Sequence, residues 1–426
     1  MKKFTFILTI FLLLATTEGF SQVFMSPRGL SFANTYATQS RGSDAIGWNP
    51  ANLGFDDNGK FSMTFGVFPL IPLPSLQLSN NAVSAGWYNT FFTKGGYLGN
   101  AEKAELLSVF PAAGWNMAPS VQMRLIGMSF GHTGITLELD AAGDFTLPKA
   151  IPEFIFNGNK FEESMDLSTL HGEFQTVATL NVAHGYKLKF LPNTYFGLNL
   201  KGIFGGGYAR TESVEGAITS HSEYIEANGD IVARYAAGGY GYAFDLGLAT
   251  RFNDMLAANV SVNNLLGNIK WLDYLNETIH YTLDFTTEDL DFENVDFDSL
   301  MSESISNDTS YSTAGFSTPY PAYAVAGVQL DLTERIHFFA NYRQGFTDRL
   351  DTSVDPIISF ATELQLLRWF PIRFGVAQGG KDSFRWGGGF GFEFKHYSMI
   401  FGFSQTGGFY NSSTGFAFSF GQELRF

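Results

Sequence analysis

The stretch that decides the fold is the last one: Gly415-Phe416-Ala417-Phe418-Ser419-Phe420-Gly421-Gln422-Glu423-Leu424-Arg425-Phe426. Successive side chains of a β-strand point to opposite faces, so the run splits into two parities. One carries Phe416, Phe418, Phe420, Gln422, Leu424 and Phe426; the other carries Gly415, Ala417, Ser419, Gly421, Glu423 and Arg425. Five of six positions on the first face are large and apolar, and none on the second is. Such a ribbon separates two unlike media. Phe384 to Lys395 repeats the split, with Phe384, Trp386, Phe390, Phe392 and Phe394 opposed by Arg385, Glu393, Lys395 and glycines. Tyr240 to Arg251 does so again, setting Tyr240, Tyr242, Phe244, Leu246 and Leu248 against Asp245, Arg251 and small residues.

Weaker copies run through 60–68, 176–188, 194–204, 255–265, 322–330, 336–342, 357–367 and 399–404. Short breaks such as Leu191-Pro192-Asn193, Phe252-Asn253-Asp254 and Leu332-Thr333-Glu334 separate many of them, which is the pattern of an antiparallel meander. Alternation alone does not say which face meets water. In a soluble sandwich the rings would meet in a core; in a membrane barrel they would meet lipid and the small or charged face would line a lumen. Composition favours the barrel. The chain has 45 Phe, 18 Tyr and 46 Gly, and only 16% charged residues, below the quarter or so of a soluble domain. The faces opposite the rings carry Gly, Ala and Ser rather than solubilising Lys and Glu. An open aromatic sheet of this length would also leave a sticky edge, which closure removes. The expected fold is therefore all-β: a transmembrane antiparallel barrel of about 14 strands.

The N-terminus sets the compartment. Lys2 and Lys3 precede a twelve-residue apolar run, Phe4 to Ala15, and Gly19-Phe20-Ser21 supplies small residues before Gln22. This is the layout of a secretory signal peptide, expected to span residues 1–21 with cleavage near Ser21/Gln22, and it is too short to cross a bilayer as a helix. Net charge is −15; without residues 1–21 it becomes −16, from 24 basic and 40 acidic residues. Nucleic acid, which needs clustered positive charge, is an unsuitable partner. Cysteine is absent, which removes thiolate chemistry and disulfides.

Residues 22–58 fail the alternation test and are expected to form an N-terminal hatch, either inside the lumen or below it, ahead of a barrel over 59–426. Within them Gly47-Trp48-Asn49-Pro50-Ala51-Asn52-Leu53-Gly54 resembles the Asn-Pro-Ala-Gly-Leu element of the FadL-like outer-membrane transporters and of the related PorV and PorQ barrels. Asn49, Pro50 and Ala51 match; Asn52 stands where that family has Gly. Ser261-Val262-Asn263-Asn264-Leu265-Leu266-Gly267-Asn268-Ile269-Lys270-Trp271 is similar to a second segment of uncharacterised relatives. The resemblance implies a hatch folded into a 14-stranded barrel in the outer membrane of a Gram-negative bacterium. It also implies either passive transport of a hydrophobic or amphipathic small molecule, or a non-transporting partner role for a secretion-system protein. For Asn49-Pro50-Ala51 a plain turn against the wall and a gating role both stay open.

The stretch 271–319 holds eleven acids and no Lys or Arg, and is expected to be an acidic solvated loop outside the membrane. A Ca²⁺ loop of EF-hand type is excluded because no Gly lies between Asn268 and Ala314. Asn100 is positioned to cap a short loop helix over Ala101 to Phe110, and Pro148 to Phe156 suggests another. The seven histidines show no metal-ligand spacing and no Gly-x-Ser-x-Gly elbow occurs, so no catalytic residues, metal or cofactor are expected. A Ser–His pair assembled in space from distant strands is the remaining enzymatic alternative. Gly205-Gly206-Gly207 and Gly387-Gly388-Gly389 suit strand bends, or room for a plug, rather than phosphate binding. If the rings face lipid, then Asn199, Lys201, Asp245, Arg251, Arg385, Glu393, Lys395, Glu423 and Arg425 face the lumen, pairing with one another and the hatch or lining a substrate path.

Overall fold

The computed structural model describes residues 26–426 apart from 67–70, 96, 158–162, 223, 274–275, 287–304, 348, 351 and 382. The expected signal peptide lies outside the described residues, as do Glu288, Asp289, Asp291, Glu293, Asp296 and Asp298 of the acidic stretch.

The last strand, Gly415–Arg425, answers the question of orientation. Phe416 and Phe418 are 56% and 50% exposed, whereas Ala417 and Ser419 are 3% and 1% exposed. The rings point out and the small residues point in. The same holds around the wall: Phe360, Phe374, Phe390, Phe403, Leu248 and Leu200 are exposed, and Ala361, Arg373, Gly389, Gly402, Ala249 and Asn199 are buried. An apolar band of this extent is stable against hydrocarbon and not against water.

The wall closes on itself. Phe61–Phe65 pairs antiparallel with Gly415–Arg425 on one side (Met63 opposite Leu424) and with Trp115–Phe130 on the other (Met63 opposite Met128), so no edge is left. Fourteen antiparallel strands form the circuit, as expected from the alternation. Two are interrupted. Phe61–Phe65 resumes as Ser75–Asn80 after Ile71-Pro72-Leu73-Pro74, where prolines cannot donate to the ladder. The strand expected over 60–68 therefore stops at Phe65. Ser317–Pro319 likewise resumes as Tyr323–Thr333, across Tyr320-Pro321-Ala322.

One end of the barrel has tight turns, at 131–132, 188–193, 252–255, 334–335, 368–369 and 394–396, and the other has long excursions. Short turns on one side and long loops on the other characterise outer-membrane barrels. Thr194–Ser220 and Ile225–Arg251 are 27 residues each, against the 9–11 or so that span a bilayer, so their distal halves project beyond the band. Asn276–Thr286 pairs with the projecting half of Ile225–Arg251, and Ile305–Ser312 pairs with it in turn. The acidic stretch expected to be irregular thus carries a hairpin, and its first strand does alternate, with Ile279, Tyr281, Leu283 and Phe285 on one parity and Thr278, His280, Thr282 and Asp284 on the other. Short helices Ala85–Tyr88, Asn100–Ser108 and Ala150–Asn157 cap the loop end over buried Leu106, Leu107 and Phe110. Asn100 is the first helical residue rather than the cap; Gly99, in extended conformation, occupies that place.

Exchanging Phe418 for Arg puts a charge at the apolar band and is expected to cost about 2–4 kcal/mol of barrel stability in lipid. Urea unfolding followed by the heat-dependent gel shift of the folded barrel measures it, with the inward Ala417→Ser as the mild control.

Candidate lumenal site and its plug

Residues 26–58 fold inside the barrel as short turns. Ser26 caps the helix Pro27–Ser31, its hydroxyl accepting from the Gly29 N–H at 3.0 Å. Asn49 caps the 3₁₀ turn Pro50–Gly54: its side-chain oxygen accepts from the Ala51 N–H at 2.9 Å, and its amide donates to the wall carbonyls of Leu248 and Val260 at 3.1 and 3.2 Å. Pro50 occupies the first position of the turn and Ala51 is fully buried. Asn52 donates to the Ala37 carbonyl and the Ser40 hydroxyl, at 2.7 and 2.8 Å, a link that Gly could not make. Around these turns Phe32, Tyr36 and Trp48 form an aromatic core with wall residues Tyr323, Val325 and Phe339.

The hatch backbone lies directly on the wall, and glycine makes that approach possible. A Cβ added at Gly197 would stand 2.0 Å from the Ala51 nitrogen, and one at Gly387 would stand 2.0 Å from the Leu30 carbonyl oxygen. The triple glycine at 387–389 therefore makes room for the plug at its two inward positions.

Charge completes the attachment. The Arg28 guanidinium, buried in the hatch, reaches Glu423 at 3.0 Å and Asp44 and Glu393 at 3.3 Å each. Arg373 bridges Glu363 and Glu393, both at 2.6 Å, and Arg124 bridges Asp44 and Glu138 at 2.6 and 2.7 Å. Arg425, at the turn end, meets Glu423 at 2.7 Å. A second cluster sits higher in the wall: Asp245 takes Lys201 at 3.1 Å, the Asn199 amide at 2.7 Å and the Asn264 N–H at 2.8 Å. Asn264 (φ 59°) and Leu266 (φ 54°) bulge the strand Leu256–Trp271, turning the Asn264 side chain inward to Lys201 and leaving Leu266 exposed. Of the Asn263-Asn264-Leu265-Leu266 segment, Asn264 serves this cluster through its side chain and its N–H. At the turn end, Arg41 and Arg251 hold Asp57 at 2.8 and 3.2 Å. Burial pushes the Asp57 carboxyl up, but Arg41 and then Arg251 outweigh it and hold it below its ordinary value.

Of the sequence-derived inward residues, the structure gathers Glu393, Glu423 and Arg425 around Arg28, and Asn199, Lys201 and Asp245 in the second cluster. Arg251 lies at the turn end, and Arg385 is buried with its guanidinium donating to Gln77 at 3.2 Å. Lys395 is not lumenal. Its strand ends at Glu393, so the alternation no longer applies and the side chain is exposed in the following turn. Sequence reasoning passed over Arg28, Asp44, Arg124, Glu138, Glu363 and Arg373. Glu363 and Arg373 face each other across adjacent strands, and their parity opposite Leu364, Ile372 and Phe374 was the available signal.

A cavity enclosing about 620 Å³, its open mouth included, lies at the interrupted first strand. Its walls come from the strand ends (Phe65, Gly66, Leu73, Ser75), from Ser419 to Glu423, from the hatch at Ser26 to Arg28 and Asp44, and from Gln122, Arg124 and Glu138. The cavity thus joins side chains of the outward parity, such as Phe420, to the interior of the plugged lumen. Among the described residues no group of three or more His, Asp or Glu is placed to hold a metal ion.

Replacing Arg28 with Ala removes one of two cations from each of Glu423, Glu393 and Asp44, which keep Arg425, Arg373 and Arg124, and is expected to destabilise the plugged barrel by about 1.5–3 kcal/mol. Gly197→Val, which clashes with the hatch backbone, should instead expel the hatch and expose the bonds around Asn49 to protease while leaving the barrel folded. Denaturant titration and limited proteolysis of the two variants measure these outcomes.

Two sets of known proteins bear on this arrangement. A family described only as of unknown function, DUF5723, matches residues 224–403. No curated protein matches the sequence. Among solved structures, the Pseudomonas aeruginosa FadL homologue superposes with a TM-score of 0.54 at 11% identity, covering 96% of this chain and 100% of its own. The Pseudomonas putida toluene transporter TodX gives 0.52 at 9% identity over 96% and 99%, and the Ralstonia pickettii toluene transporter TbuX gives 0.50 at 13% over 96% and 99%. At such identities the likeness is one of architecture, and this chain has the plugged 14-stranded barrel fold of the FadL-type outer-membrane proteins.

Proposed function

We propose that this chain is an outer-membrane channel, exported by a signal peptide over residues 1–21, that passes small hydrophobic or amphipathic molecules without an energy source. The observation carrying this reading is the cavity at the interrupted first strand. It is bounded by hatch and wall together, and it reaches from the outward-facing Phe420 to the interior where Pro72 and Pro74 break the ladder. A hydrophobic molecule gains roughly 25 cal/mol for each Å² it removes from water, so an apolar route beside the plug needs no pump. Asn49, Pro50 and Ala51 pin the hatch in this reading, and the inward ions fix its seat. The structures of similar fold include two named for toluene transport, which agrees with a ligand of this kind.

A second reading rests on a different observation. The hatch occupies the lumen axis with buried ion pairs, which suits a barrel that anchors a protein partner rather than one that conducts.

Uptake of radiolabelled toluene by outer-membrane vesicles tests the first reading. Vesicles carrying the protein should equilibrate several-fold faster than empty ones, and Leu73→Trp, which fills the cavity, should remove most of the difference. Equal rates with and without the protein would refute transport of such ligands; a stoichiometric protein retained after mild detergent extraction would then support the partner role.

A further inference from the structure

We propose that the cavity at the interrupted strand selects uncharged hydrophobic molecules and rejects carboxylates. The inference rests on the transport reading and names the ligand chemistry of that same site.

Five charged side chains line the cavity. Arg28 and Arg124 supply two positive charges, and Asp44, Glu138 and Glu423 supply three negative ones. Neither guanidinium is available to a ligand anion in the way a lone lysine would be. Arg28 already faces Asp44, Glu393 and Glu423, and Arg124 already faces Asp44 and Glu138. Including the residues that bond to this set does not change the balance: Arg373 and Arg425 add two positive charges, Glu363 and Glu393 add two negative ones, and one carboxylate remains in excess.

A ligand carboxylate entering here would lose its hydration and meet a surplus of its own sign. Both effects oppose binding, because a desolvated charge needs a partner and like charges repel more strongly in a medium poorer than water. To gain a cation it would have to pull Arg124 from Glu138 or compete for Arg28 with the three carboxylates already bound to it. An uncharged polar group meets no such obstacle. Gln122 and Ser419 line the same space, and Pro27, Phe65, Leu73 and Phe420 provide apolar contact. Closure of the ion network, which seats the hatch, thus also sets the preference for ligand charge.

Benzyl alcohol and benzoate form a matched test, equal in ring and carbon count and different in charge at pH 7. Equilibrium dialysis of the full-length protein in lipid nanodiscs, corrected with empty nanodiscs, reads their retention. Benzyl alcohol should be retained at least ten-fold more strongly than benzoate. Glu138→Gln removes the surplus negative charge and should narrow that ratio at least three-fold, whereas a merely structural effect would weaken both probes together. Glu423→Gln makes the same change from the other side of the cavity, should the first variant lose the heat-dependent gel shift of a folded barrel. Benzoate retained as well as benzyl alcohol overturns the inference and leaves transport standing. Retention of neither probe removes the transport reading itself.

Discussion

A guanidinium inside a barrel has to be neutralised where it stands, and the placement of the whole plug depends on how that is done for Arg28. Its three carboxylate partners come from the hatch itself (Asp44) and from two wall strands distant in sequence (Glu393 and Glu423). A buried ion pair is a poor source of net stability, since desolvation offsets most of the attraction. What it contributes is position: displacing the hatch breaks the Arg28 bonds to Glu393 and Glu423 and the Asp44 bond to Arg124 together. The apolar core around Phe32, Tyr36 and Trp48 supplies attraction without direction, and the ions supply the register.

Glycine and asparagine divide the remaining work. Where wall and hatch backbones touch, as at Gly197 and Gly387, the side chain is absent altogether. Where the hatch turns sharply in the barrel interior, Asn49, Asn52 and Asn58 bond to backbone groups of the turns. A plug made of turns has many such groups, and burying them unsatisfied would cost about 1–3 kcal/mol each. Its sequence accordingly looks unlike a soluble core.

The wall was legible in the sequence because a barrel strand in contact with lipid shows the sharpest possible contrast between parities. Gly415–Arg425 and Phe384–Glu393 display it most fully, with Gln422 and Gly388 as the exceptions on the ring side. Legibility failed where geometry broke the period. In Trp115–Phe130 a bulge between Arg124 and Ile126 moves the outward positions from the parity of Val121 to that of Ile126 and Phe130, so no single alternation runs through the strand. The projecting hairpin was missed although Ile279, Tyr281, Leu283 and Phe285 alternate with Thr278, His280, Thr282 and Asp284, because the acids around that run read as a solvated loop. The plug was recognisable as an irregular segment, but the residues that fix it were not, because Arg28 meets Glu423 across 395 positions of chain and no local pattern records that pairing.

The prolines that interrupt the first strand also determine how the cylinder is sealed. First and last strands meet through two short ladders, Ser62 to Phe65 and Leu76 to Ser79, whereas the neighbouring seam runs unbroken from Tyr397 to Thr406. A zipper lacking its middle teeth is the easiest to start opening. The seam of this strand with Trp115–Phe130 is split in the same way, into Phe61 to Thr64 and Ser75 to Asn80, so unrolling of the wall begins at one flank or the other of the first strand.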